Sequence, residues 1–135
     1  AFIATLYITS FTLSSYYNNQ GLLYFQNKKG AEYFKKGIYI CPHNGLNYFS
    51  LGSYLLNKGD KKGIDYIKIS LRLMGNSRAY HYIARAYYDF GLYEQSLQWY
   101  KKATFVRPDN KNVRKEMEIL LEELKNENQY LHKKR

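Results

Sequence analysis

"FGLYEQSLQWYKKATFVRPD", residues 90–109, places Gly91 and Pro108 at the two ends of one continuous helical pattern. Small and bulky residues between them recur at spacings of three and four, which gathers side chains on one face of an α-helix: Leu97, Tyr100, Ala103 and Thr104. Proline lacks a backbone N–H and disfavours a helical residue before it, so the helix ends near Pro108. The stretch predicts one helix, with a glycine turn before it and a stop after it.

The residues before Gly91 have the same spacing. "AYHYIARAYYDF", residues 79–90, aligns one stripe of side chains: Tyr80, Ile83, Ala84 and Tyr87. Two helices joined by a short turn predict an antiparallel hairpin. Because no alternating apolar run is bounded by hairpin turn residues, we expect an all-α fold.

The hairpin pattern recurs along the chain. "NYFSLGSYLLNKGD" at 47–60 repeats the first helix and turn, with Gly59 lying 32 residues before Gly91. "KKGIDYIKISLRL" at 61–73 likewise repeats "KKGAEYFKKGIYI" at 28–40, at an offset of 33. A period of this length indicates stacked helical hairpins, in which each hairpin buries its apolar face against its neighbours.

These residues resemble the tetratricopeptide repeat (TPR). Residues 77–110 have the most complete pattern: Tyr80, Ile83, Ala84, Tyr87, Gly91, Ser96, Tyr100, Ala103 and Pro108. Residues 45–76 have it in part, with Asn76 in place of the proline. Residues 11–44 keep the second helix, in Gly30, Phe34, Gly37 and Pro42, whereas their first helix is degenerate and its turn is short. The resemblance implies hairpins stacked in a right-handed α-solenoid, over residues 28–110.

A closing helix is predicted over residues 111–135, followed at its end by a basic tail. Its apolar stripe spans two heptads or so, and glutamates are expected on the opposite face: the stripe is Val113, Met117, Leu120, Leu121 and Leu124. A stacked array needs a last helix with a polar outer side to cover its final hairpin. The stripe is too short for a coiled coil, so the segment predicts a cap.

The N-terminal segment, residues 1–27, contains no charged residue. "AFIATLYITSFTL" is apolar with interspersed hydroxyls, which are tolerated in a helix because they bond back to its carbonyls. It is shorter than the ~20 residues of a spanning helix and lacks the basic start of a signal peptide. Two interpretations remain open: the end of a membrane helix, or a packed first helix of the domain.

Charge and composition allow several partners. Lys and Arg number 21 against 11 Asp and Glu, for a net charge of +10. Such a balance favours an acidic protein partner, an anionic membrane surface or nucleic acid. The lysines occur mostly as pairs spread along the chain, as on solvated helix faces. Nucleic-acid binding is the least favoured, because most tyrosines occupy helix-packing positions.

No catalytic or metal-binding pattern is present in the sequence. His43, His81 and His132 have no spacing that places two imidazoles on one helix face. Cys41 is the single cysteine, so no disulfide within the chain and no cysteine cluster is possible. The glycines occur singly rather than in a phosphate-binding loop. We therefore expect a protein that is not an enzyme and uses no cofactor.

The resemblance implies a peptide-binding groove lined by the first helix of each hairpin. By position, the second hairpin supplies Leu46, Phe49, Ser53, Leu56 and Asn57, and the third supplies Arg78, His81, Arg85, Tyr88 and Asp89. Such a groove is apolar at one end and mixed in charge at the other, which suits an amphipathic or extended peptide. Asn57 and Arg85 approximate the Lys and Asn residues with which chaperone-tail-binding members clamp a terminal carboxylate.

Three functions follow as hypotheses. The first is a protein-interaction scaffold. The second is the extramembrane tail of a bacterial membrane protein, since polysaccharide polymerases and ligases of the O-antigen type often end in such hairpins. This would place the domain in the cytoplasm or at the inner membrane, as a non-catalytic part of a glycosyl-transferring protein. The third is nucleic-acid binding through basic and aromatic side chains.

Overall fold

The computed structural model describes residues 2–133, with side chains placed for residues 3–126. The described residues form seven helices and no strand. In chain order, the helices are α1 (Phe2–Leu23), α2 (Lys28–Ile40), α3 (Gly45–Asn57), α4 (Gly63–Met74), α5 (Ser77–Asp89), α6 (Tyr93–Val106) and α7 (Lys111–Lys133). The expectation of an all-α fold is confirmed.

The chain divides into two compact units between Ala79 and Tyr80. The first unit contains α1 to α4 and the first turn of α5. The second contains the rest of α5 with α6 and α7. Each unit has a hydrophobic core of its own, one around Phe34 and one around Leu120.

Asparagine side chains cap the start of α2 and α3, and glycines lie in the turns after α3 and α5. Asn27 and Asn44 each accept a hydrogen bond from a backbone N–H of the following first turn, which satisfies one of the donors left open there. Gly59 and Gly91 have φ values of 76° and 70°, in the left-handed region that other residues rarely adopt. Both glycines lie in the turns where the repeat pattern places them.

Small residues allow the helices of the first unit to approach closely. A Cβ atom on Gly21 of α1 would overlap the ring of Phe34 on α2. A Cβ atom on Gly52 of α3 would likewise overlap Ile67 and the Gly63 carbonyl of α4. Helix α1 therefore pairs with α2 as a hairpin. The pairing forms despite the short turn predicted there, because α1 ends at Leu23 and residues 24–27 make the connection.

A buried polar junction joins α1, α2 and α3. The Ser14 hydroxyl donates to the Gly37 carbonyl at 2.8 Å and accepts from the side-chain amides of Asn44 and Asn47, at 3.1 and 2.8 Å. All three side chains are fully or almost fully buried. One donated and two accepted bonds use the full capacity of a hydroxyl, so this junction aligns the three helices without leaving Ser14 unsatisfied.

In the second unit, α5 and α6 cross at a pair of small residues. The Ser96 hydroxyl donates to the Ala84 carbonyl at 2.8 Å, and both residues are fully buried. Side chains of α7 then complete the core, with Val113 and Leu120 buried and Met117 and Leu124 packed beside them. The predicted closing helix is confirmed. Its predicted basic tail, from Lys133 on, and His132 lie outside the residues whose side chains are described.

The structure also answers part of the question about residues 1–27. Helix α1 is a packed arm of the first hairpin from Ser14 onward, while the side chains of residues 3–9 are all exposed. Within residues 2–133 no helix combines the length and the apolar character that a membrane crossing requires.

Candidate functional site

The predicted residues of the second hairpin share the outer side of α3. Leu46 and Asn57 are exposed, and the residues between them are half-buried. The buried side of the same helix, with Asn47, Leu51 and Tyr54, faces the core. The 3.6-residue period thus separates a packed side from an accessible, largely apolar stripe: Leu46, Phe49, Ser53, Leu56 and Asn57. We call this set the α3 stripe.

The predicted residues of the third hairpin lie along α5. Arg78 is exposed in the first unit, and its backbone N–H donates to the Asn76 side chain at 3.0 Å. In the second unit, Arg85 and Asp89 are exposed. His81 and Tyr88 are half-buried, because α7 packs on them.

A hydrogen-bonded triad connects α5, α6 and α7. The Glu116 carboxylate of α7 lies 2.7 Å from Nε2 of His81 on α5, and it accepts a bond of 2.8 Å from the Tyr100 hydroxyl on α6. The His81 and Glu116 side chains are 23% and 34% exposed, so water screens their attraction only in part. Through this one carboxylate, the closing helix is joined to both arms of the hairpin beneath it.

The triad shifts two pKa values. Burial raises the pKa of Glu116, but the hydrogen bonds from His81 and Tyr100 and the electrostatic attraction of His81 and Arg85 together lower it by more, so the net pKa lies below the ordinary value of 4.5. Burial, together with the bond to Glu116, raises the pKa of Tyr100. At neutral pH the triad therefore contains a charged carboxylate that is hydrogen-bonded to both His81 and Tyr100.

A second, outer contact joins α5 and α7. The Tyr88 hydroxyl donates to the Glu123 carboxylate, with both oxygens at 3.0 Å. That hydrogen bond raises the pKa of Tyr88. The sequence predicts that the glutamates of α7 lie on the side opposite its apolar stripe. This is wrong for Glu116, which points into the hairpin. Glu123 is exposed as expected, but it also accepts the bond from Tyr88.

A pocket of about 250 Å³ opens beside the triad. Its lining comes from α5, α6 and α7: Arg85, Tyr88, Asp89, Tyr100, Glu116 and Ile119. It is smaller than the roughly 300–1,000 Å³ of a typical small-molecule site, so it suits one inserted side chain rather than a cofactor. Its walls present a guanidinium and two carboxylates.

The triad is the part of this region that the sequence did not predict. Glu116 lies 35 residues after His81, and no local spacing links the two. A charged residue close to the apolar stripe of α7, next to Met117, was the one available signal. Among the described side chains no group of three or more His, Cys, Asp or Glu residues is placed to hold a metal ion.

Comparison with solved structures gives consistent matches. The first TPR domain of Spaghetti (RPAP3), bound to the HSP90 peptide SRMEEVD, has a TM-score of 0.76 at 15% identity, covering 84% of this chain and 97% of that one. The Arabidopsis OM64 TPR domain gives the same TM-score and identity, over 84% and 98%. The Sgt2 TPR domain from Aspergillus fumigatus gives 0.74 at 14% identity, over 86% and 82%.

No family model matches the chain, and no curated protein matches it in sequence. At 14–15% identity, the structural likeness shows the fold alone. The repeat period, the small residues at the helix crossings and the superpositions agree on that fold. The chain is an all-α protein of stacked helical hairpins with the fold of a TPR domain.

Proposed function

We propose that this chain is a non-catalytic protein-interaction module that binds a peptide or a partner helix. The fold supports the proposal, because TPR-like neighbours include a domain bound to a peptide. The observation that carries it is the α3 stripe, a row of accessible side chains that the core of the first unit leaves uncovered. Exposed first-helix surfaces of this kind suit recognition of an extended or amphipathic segment.

The α3 stripe is the main binding surface in this proposal. Its leucines and phenylalanine offer apolar contact, and the exposed Asn57 offers a hydrogen-bonding group. In the second unit, α7 occupies His81 and Tyr88 through Glu116 and Glu123. These two residues act in docking the closing helix, so the α5 set contributes less to partner binding than the resemblance implies.

Arg85 is the residue through which the second unit selects a partner. It is exposed, and it borders the pocket next to Glu116. An acidic group on the partner would pair with its guanidinium, in keeping with the net charge of +10. The second unit then favours a segment with an acidic residue for Arg85, and the α3 stripe of the first unit favours a segment with apolar residues.

The test uses a phage-displayed peptide library as the probe. Peptides selected on the wild-type protein are measured against Leu46→Glu by fluorescence anisotropy. The exposed leucine can accept the change without loss of fold, and we expect affinity to fall about tenfold or more, as for a residue near the centre of an interface. Phe105→Glu is the matched control, because Phe105 is an exposed apolar residue of α6 that does not belong to the α3 stripe.

Two results would contradict this proposal. Selection could yield no peptide that binds above background, or Leu46→Glu could bind the selected peptides as tightly as Phe105→Glu does. For the acidic group, Arg85→Glu should lower affinity for acidic peptides only. Circular dichroism of each variant must match the wild type before affinities are compared.

The two other hypotheses gain nothing from the structure. The tail of a membrane glycosyl-transferring protein has no contact or comparison in its favour, and we do not propose it. Nucleic-acid binding needs accessible aromatic side chains along a basic surface. Tyr54 and Tyr100 are buried in the two cores and most other described tyrosines are half-buried, while Tyr7, Tyr16, Tyr39, Tyr82 and Tyr93 are exposed.

A further inference from the structure

The N-terminal half of α1 exposes large apolar side chains over most of its circumference. Ile3 and Ile8 are 82% and 64% exposed, on sides of the helix that do not share one stripe, and the other large apolar side chains in this part are exposed as well: Leu6, Tyr7, Phe11 and Leu13. Burial begins only at Ser14. The side chains of residues 3–13, which we call the α1 stub, therefore lie outside the hydrophobic core of the first unit.

Hydroxyl groups do not make the α1 stub polar. Thr9 donates to the Leu6 carbonyl, and Ser10 donates to the Tyr7 carbonyl, both at 2.9 Å. Thr12 donates to the Ile8 carbonyl at 2.8 Å. Hydroxyls that bond back to their own helix cost little in an apolar medium, because their donors are already satisfied.

We propose that the α1 stub inserts into the hydrocarbon of an anionic phospholipid membrane. A partner helix covers a single stripe of the helix it packs against. The exposed apolar side chains of the α1 stub extend over more than one such stripe, and lipid chains can contact all of them at once. This inference is independent of peptide binding at the α3 stripe.

The described residues of the α1 stub are long enough to reach into one leaflet. At 1.5 Å per residue, residues 3–13 span about 16 Å. That is about half of a hydrocarbon core of roughly 30 Å. The α1 stub can therefore reach into one leaflet, and the described part of the chain has no helix suited to crossing both.

The base of the α1 stub has the side chains expected at a membrane interface. Helices α1 and α2 are antiparallel, and the bond from Ser14 to the Gly37 carbonyl places the end of α2 beside the base. There, Tyr39 is 88% exposed, and Lys35 and Lys36 are exposed on the same side of α2. Tyrosines favour the headgroup region, and lysines attract anionic headgroups. The acidic Glu32 lies one turn farther from the base.

The experiment is co-flotation with vesicles, using the full chain. Vesicles contain phosphatidylcholine alone or phosphatidylcholine and phosphatidylglycerol in equal amounts. We expect the wild-type protein to float with the anionic vesicles. Ile8→Asp should lower its partition coefficient by about a hundredfold, because an aspartate in hydrocarbon costs far more than an isoleucine.

A matched control distinguishes membrane insertion of the α1 stub from nonspecific adsorption through any exposed apolar side chain. Phe105→Asp removes a large exposed apolar side chain and adds the same charge, but on α6, where Phe105 is 88% exposed. It should float as the wild type does. A variant with Lys35→Glu and Lys36→Glu should lose the preference for anionic vesicles, and added salt should weaken wild-type binding.

Three results would overturn the proposal. The wild-type protein could remain unbound at all vesicle concentrations. Ile8→Asp could bind as well as Phe105→Asp. The protein could instead self-associate in analytical ultracentrifugation, with Ile8→Asp abolishing the association and vesicles having no effect, which would assign the α1 stub to a second copy of this chain.

Discussion

Helix α1 has 22 residues and helix α7 has 23, yet the two relate to their units in opposite ways. In α7 the apolar residues recur at spacings of three and four, and they form one stripe that the second unit buries. In α1 apolar residues occur on all sides, and the first eleven described side chains contribute nothing to the core. Two helices of nearly equal length thus differ because α7 has one apolar stripe, whereas the apolar side chains of α1 are not confined to one stripe.

The difference shows what makes a terminal helix a cap. A stripe about as wide as the surface beneath it can be covered completely, and the charged residues beside it then face water. Glu116 adds a directional bond at the edge of that stripe. The α1 stub exposes apolar side chains on more sides than one neighbouring helix can cover, and the hydroxyls of Thr9, Ser10 and Thr12 bond back to its own carbonyls.

The largest expected effect is a difference in unfolding free energy between truncation of a buried leucine on α7 and truncation of an exposed leucine on α1. Leu120→Ala on α7 removes a side chain that is 0% exposed, and it should cost about 2–5 kcal/mol of unfolding free energy through lost burial and a cavity. Leu6→Ala on α1, where the leucine is 54% exposed, should change stability by less than about 0.5 kcal/mol. Urea denaturation followed by circular dichroism measures both. Equal losses would contradict the contrast.

A smaller effect is expected at the crossing that α7 covers. Ala84→Leu places extra methyl groups where Ala84 is fully buried against α6, and it should cost about 1–3 kcal/mol by overpacking. The matched change, Ala4→Leu, falls on the exposed α1 stub and should be nearly neutral. If Ala84→Leu shifts the urea midpoint no more than Ala4→Leu does, the α5–α6 crossing is not as tight as described.

The smallest effect concerns pH. The pKa of Glu116 is lowered in the folded protein, so the stability it contributes is present above the unfolded pKa and is lost as pH falls through the folded value. We expect the loss to begin below pH 4.5. Because the carboxylate is a third exposed, the effect is about 1 kcal/mol or less.

Urea midpoints between neutral pH and about pH 3 measure this loss. Glu116→Gln should flatten the acid limb of the profile, because the glutamine cannot titrate. Glu118→Gln, an exposed position on the same helix, is the control and should leave the profile unchanged. If the two variants gave the same dependence of the urea midpoint on pH, Glu116 would not contribute to the docking of α7.

Local chemistry made much of the fold predictable. Gly91 and Pro108 predicted the turn and the stop of α6, and the helix runs from Tyr93 to Val106. Backbone preferences of glycine and proline act within a few residues, so they can be read without a structure. Small residues such as Ala84 also predicted the close crossing, and their burial confirms it.

The candidate site was less predictable. The α3 stripe follows from the helical period and the TPR resemblance, and its role in binding stays a prediction. The bond between His81 and Glu116 joins residues 35 apart, and that between Asn47 and Ser14 joins residues 33 apart. The second separation equals the repeat offset, but a repeat relates equivalent positions and does not say which side chains meet, so neither bond could be derived from the pattern.

By itself, the sequence determined where the helices lie, where they turn and which faces are apolar, because periodicity, glycine and proline act over a few residues. Only the tertiary structure decided which apolar faces are covered and which polar groups meet, since these depend on how rigid helices pack across three dozen residues of chain. That packing turned Glu116 inward onto two helices, and it left the first turns of α1 with nothing of their own unit to cover them.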